Sequence, residues 1–161
     1  MRWNRGIGGV LSAALAEFPE NAFHMRYIAF LGELADGLGR AGELASGLMT
    51  IERALDAALR CEENWCVAEL LRIKGEILLK QGGEEASTSA EGCFRGALDS
   101  ARRQNALSWE LRAATSYARL WHDQGRNGDA RDLLSSTYGR FTEGFSTSDL
   151  TAAKALLDRL N

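Results

Sequence analysis

Apolar positions in this chain recur with the period of an α-helix and, over a longer range, with a period of 43 residues. Leu71, Gly75 and Leu78 share one face with Val67 a turn earlier, and Leu111, Ala114, Ala118 and Trp121 repeat the arrangement. These are the spacings of an amphipathic helix, and no segment shows the strict alternation of a strand. The longer period links Gly32 to Gly75, Gly39 to Gly82 and Gly125, Ile51 to Phe94, Ala54 to Ala97 and Leu55 to Leu98. Ala118 fills the third slot of the Gly32–Gly75 series. The unit read from this recurrence is a helix, a Gly turn and a second helix.

The elements predicted are a leading helix over 7–17, then helices over 23–38, 43–60, 64–80, 88–104, 107–124 and 127–138, and a last one over 147–160. Gly39, Gly82 and Gly125 are expected to close the first helix of each unit in the left-handed conformation, and Gly139 follows the last second helix. Thr88 with Glu91, and Ser146 with Asp149, have the spacing of capping boxes. Gly32, Gly75 and Ala118 fall inside helices, where a glycine costs roughly 1 kcal/mol relative to alanine. Close approach of the second helix, with Ala54 and Ala97 facing these positions, accounts for that cost. Ile51, Phe94 and Leu134 then fill the space toward the following unit. A single hairpin of this kind cannot bury its own apolar face, so the units are expected to stack.

The fold class expected is therefore all-α, a superhelical solenoid of antiparallel helix hairpins with about three repeats (23–60, 64–104 and 107–138) plus a leading and a terminal helix. The whole of 1–161 forms one domain, in keeping with 161 residues. The 17 Gly and single Pro fit helices joined at glycine-rich turns.

Charge and cysteine content narrow the function classes. The 19 Lys+Arg against 22 Asp+Glu give a formal net charge of −3, which argues against a general nucleic-acid binder. Arg2 and Arg5 precede an apolar run over 7–16, too short to span a bilayer and read as part of an amphipathic helix rather than a signal peptide. Three cysteines without a secretory signal fit a reducing cytoplasm, and Cys61, Cys66 and Cys93 are read as small buried apolar side chains. Their spacing is not that of a zinc site, so neither metal nor cofactor is expected. His122 beside Asp123 has the makings of an acid–base pair but lacks a placeable nucleophile, and no catalytic role is assigned. Glu62, Glu63, Glu84 and Glu85 read as solvated loop charges. Arg102 and Arg103 suit the C-terminal end of a helix dipole. The Trp and other aromatic residues, Trp3 aside, read as core.

Small residues, large residues and Gly turns at these offsets resemble the tetratricopeptide repeat. Gly75 takes its Gly slot, Ala90, Phe94 and Ala97 its second-helix slots, and Gln81-Gly82 and Gln124-Gly125 its turn. The period is 43 rather than the family's roughly 34 residues, the Trp slot holds Ile28, Leu71 and Ala114, and the closing Pro is missing. Residues 25–160, with the segment FTEGF at 141–145 as the most specific piece, are similar to the C-terminal tail of large bacterial signalling ATPases, some of which begin with an adenylate cyclase domain and others with a winged-helix domain. No GxxxxGK[ST] pattern occurs in the chain, so the resemblance covers the repeats alone. It implies a non-catalytic protein-interaction module that binds a peptide or partner domain in the groove lined by the first helices. The alternative is a free-standing or truncated tail acting in trans on a nucleotide-dependent signalling protein. By the family's register the groove-facing residues are Arg26, Ala29, Glu33 and Asp36, then Glu69, Arg72, Glu76 and Leu79, then Arg112, Thr115, Arg119 and His122. The plainer reading of the same residues is a solvated helix face. Self-association through an open N-terminal flank is a further option.

Overall fold

A computed structural model describes residue 13, residues 24–62 and residues 64–160. Apart from residue 13, the expected leading helix lies outside the described residues. Among the described residues there are seven helices and no strand: α1 (His24–Ala41), α2 (Leu44–Arg60), α3 (Val67–Gln81), α4 (Glu84–Arg103), α5 (Leu107–Asp123), α6 (Asn127–Tyr138) and α7 (Ser148–Arg159). None of the described helices is long and apolar enough to cross a membrane.

Each helix packs on its neighbours in sequence. In addition α1 touches α3, α3 touches α5 and α5 touches α7, whereas among the described helices α2, α4 and α6 touch only their sequence neighbours. The odd-numbered helices thus form a contiguous row. Helix α3 serves two cores at once. Leu70, Ile73 and Ile77 lie in a cluster with Ile28, Leu31, Ile51 and Ala54 of α1 and α2. Leu71, Leu78 and Leu79, on its other side, lie against a cluster built around Phe94, Leu111, Ala118, Leu134 and Leu156.

The small-residue positions are contact points, but not all with the partner expected. A Cβ on Gly75 would lie 2.5 Å from Cε1 of Phe94, so α4 does approach α3 closely here, with Phe94 rather than Ala97 filling the space. Phe94 is fully buried, and its ring centroid lies 6.1 Å from that of Tyr117 on α5. At Gly32 the close neighbour is Leu70 of α3, at 2.7 Å from a Cβ, not α2 as predicted. Gly39 does not close its helix. It is buried inside α1, where a Cβ would meet Ile77 Cγ1 at 2.8 Å, and Gly42 takes the left-handed turn at φ 88°. The reason is packing: α1 runs on for another turn because its end is held against Ile77.

Both capping boxes are absent. Helix α4 starts at Glu84, so Thr88 lies within the helix and its hydroxyl donates to the Glu84 carbonyl. The acidic Glu84 and Glu85 occupy the first turn, where the dipole favours them. Helix α7 is capped at Thr147 without a side-chain bond, and Asp149 faces Arg112 of α5 instead. Two further expectations fail on exposure. Cys61 is exposed and Cys93 half-buried, leaving only Cys66 buried, and Trp65 stands 41% exposed with its ring edge-on to Trp109 at 6.2 Å.

Glu91, no longer a cap, instead ties α4 to α5. The Tyr117 hydroxyl donates to its Oε1 at 2.7 Å, and Arg95 and Arg126 reach the same oxygen at 3.3 and 3.7 Å. The Tyr117 hydrogen bond holds the Glu91 carboxyl below its ordinary range, and the two arginines add to this against the opposing effect of burial. The unfolded carboxylate takes up its proton near the ordinary value of about 4.3, the folded one only at lower pH. The contribution is therefore fully present above that range and lost as pH falls through the folded value. Glu91→Gln should lower the denaturant midpoint at about pH 7, and its gap from the parent should narrow as the pH falls below the ordinary carboxylate range. A gap that stayed constant with pH would show that the charge on Glu91 contributes nothing.

Candidate partner-binding groove

The row of odd-numbered helices carries a half-open cavity of about 360 Å³. Its lining comes from all four: Asp36 and Arg40 of α1, Arg72, Glu76 and Lys80 of α3, Arg112, Thr115, Ser116 and Arg119 of α5, and Asp149 and Ala152 of α7. On each helix these residues recur at three- and four-residue spacing, which brings their side chains to one face.

An ion-pair chain crosses the helices beneath and along this cavity. Glu69, 7% exposed, takes a two-pronged bond from Arg72, with Nε and Nη2 each at 2.9 Å. The same carboxylate receives Arg112 Nη1 at 2.8 Å from α5. Arg112 Nε in turn faces Asp149 of α7 at 3.8 Å. Glu76 accepts from Ser116 Oγ at 2.6 Å and Arg119 Nη1 at 3.2 Å, and lies 3.6 Å from Arg72 Nη1. On α1, Arg40 pairs with Asp36 at 2.7 Å, and Lys80 Nζ donates to the Gly39 carbonyl at 3.0 Å. Arg72 is itself only 8% exposed. Burial opposes its charge, yet the Glu69 hydrogen bonds and the charges of Glu69, Glu76 and Asp36 outweigh it and raise the guanidinium further above its ordinary value. The lining holds five cations and three carboxylates, so the cavity leans positive in a chain that is negative as a whole.

Of the residues singled out from the sequence, Asp36, Arg72, Glu76, Arg112, Thr115 and Arg119 line this cavity. Glu69 sits under it as an anchor for two of the arginines. No family model, curated protein or solved structure matches this chain. The groove is therefore read from its own residues.

Arg26, Ala29, Glu33, Leu79 and His122 lie outside the lining: Arg26 and Glu33 are exposed on α1, Leu79 packs against the core around Phe94, and His122 Nδ1 is paired with Asn127 Oδ1 at 2.7 Å across the α5–α6 turn. Among the residues outside the predicted set, Arg40 and Lys80 stand one turn beyond Asp36 and Glu76. The i+4 spacing was a legible signal for both. Ser116 has the same spacing from Arg112, whereas Asp149 and Ala152 carry no such signal, since α7 reaches the groove by its packing on α5. Arg102 bonds Glu110 Oε1 at 2.9 Å rather than merely ending its helix, and Arg140 binds the other oxygen of this buried carboxylate. Among the described residues no group of three His, Cys, Asp or Glu side chains is placed to hold a metal ion.

Proposed function

We propose that the chain is a non-catalytic, tetratricopeptide-like interaction module that binds a peptide or partner domain in the groove along α1, α3, α5 and α7. The observation that carries this reading is the cavity itself: charged side chains from four helices converge on one concave, solvent-open surface. The mutual contacts of the odd-numbered helices support a stacked, superhelical arrangement of hairpins with those helices innermost. The repeat also recurs across the groove, since Arg119 bonds Glu76 from 43 residues away. Charged forks already held in place by neighbouring carboxylates lose little freedom on binding, which suits them to recognising a partner's polar groups.

The test is affinity capture from the native cell extract with two baits, the parent chain and Lys80→Glu/Arg119→Glu. Both altered side chains are exposed, so the fold is expected to persist. A binding module through this groove retains a discrete partner on the parent and loses it on the variant. Identical captures on both baits would move binding elsewhere on the molecule.

A further inference from the structure

We infer that the groove selects an acidic segment of its partner, an extended stretch of chain bearing several carboxylates; this rests on the interaction-module reading above. The cavity reverses the sign of the whole molecule. The chain has a net charge of −3, yet five cations of the lining face three carboxylates there and Glu69 beneath, a local excess of one positive charge. The three carboxylates are already engaged: Asp36 with Arg40, Glu76 with Arg119 and Ser116, and Asp149 facing Arg112. They hold the arginines in place rather than offering sites to a basic partner.

The cations are less spent. A guanidinium has five N–H donors, and Arg40 and Arg119 each use one on a neighbouring carboxylate within this lining while remaining about half exposed. Lys80 donates to a backbone carbonyl and has no carboxylate within ion-pair distance among the described residues. Arginine forks match carboxylate oxygens in pairs.

The lining contains no aromatic residue and one alanine, so an apolar or ring-bearing ligand has little to rest on. The cations also come from three helices, α1, α3 and α5. One compact anion engages part of that set, whereas a chain with acidic residues at intervals engages it along its length. The volume, at the low end of the roughly 300–1,000 Å³ of ligand sites, holds a few side chains of such a segment.

The experiment is fluorescence anisotropy with a labelled alternating Glu-Ser peptide, and with Lys-Ser and Gly-Ser peptides of the same length. The Glu-Ser peptide should bind alone, and more weakly as salt rises. Lys80→Gln/Arg119→Gln should weaken it by about tenfold, and the Lys80→Glu/Arg119→Glu variant should turn the preference toward Lys-Ser. Circular dichroism of both variants checks that the helices persist. Equal binding of all three peptides, or binding indifferent to both variants, overturns the inference. Inorganic tripolyphosphate that displaced the peptide at equimolar concentration would also overturn it, making a compact anion the ligand. Lys-Ser binding that is lost in Glu76→Gln overturns the acidic preference while leaving the interaction module standing. Absence of binding by every peptide, with a partner captured through the groove from extract, does the same.

Discussion

Phe94→Ala should lower the unfolding free energy by about 3–5 kcal/mol, with a fall in Tm on the order of 10 °C. Phe94 is fully buried where α3, α4 and α5 meet, and its ring occupies the space left by the missing side chain of Gly75. Three ring atoms lie within 3 Å of where a Cβ on Gly75 would stand. Gly75→Ala should therefore cost about 1–3 kcal/mol through overpacking, despite a gain of about 1 kcal/mol in helix propensity. The two sites are coupled. In the Phe94→Ala background the clash is gone, and Gly75→Ala should become stabilising. Chemical denaturation of the four proteins measures this directly. An effect of Gly75→Ala that is the same in both backgrounds would show that the glycine is not there to admit the ring.

Glu69→Ala should cost about 3 kcal/mol, because it leaves the charge of Arg72 buried without its two-pronged partner. Glu76, at 3.6 Å, supplies part of the compensation and keeps the effect at the lower end of the range for broken buried pairs. Replacing both members with apolar residues of similar size, Glu69→Leu/Arg72→Met, should be close to neutral in stability. The ion pair then contributes orientation rather than stability, and its loss should be felt in binding, since Glu69 also fixes Arg112. The Arg72 charge is held above an already high ordinary value. Its contribution is thus present at every pH below that value and does not fade across the neutral range. Thermal melts of the single and double variants separate the two cases. A double variant as unstable as Glu69→Ala would mean that packing, not the orphaned charge, sets the cost.

Much of the architecture is legible in the amino-acid order because it rests on local physics. Helical periodicity places α1 to α7 within a few residues, and glycines of positive φ at 82 and 125 follow α3 and α5 where expected, at φ 77° and 78°. The recurrence at 43 residues also marks Gly75 as a point of close approach. Where the reading failed, a longer-range contact had overridden a local preference. Gly39 was drawn into the helix by Ile77, whereas the start of α4 at Glu84 carried Glu91 past the cap and left it to Tyr117. At the groove, the register implied by the tetratricopeptide resemblance named six lining residues, and helical spacing keeps those on each helix on one face. It also named Arg26, Ala29, Glu33, Leu79 and His122, since a stripe does not reveal how far along a helix the neighbouring helices extend.

What the chain determines by itself, then, is the set of helices, their joints and the face each one presents, for these depend on residues within a turn or two of one another. What only the tertiary structure decided is which charges meet. The pairing of Glu69 with Arg112, of Glu76 with Arg119 and Ser116, and the arrival of Asp149 beside Arg112 all join residues 37 to 43 apart. No local rule governs such pairs; they exist because the small residues and Phe94 let the helices pack closely enough for side chains from four of them to share one cavity.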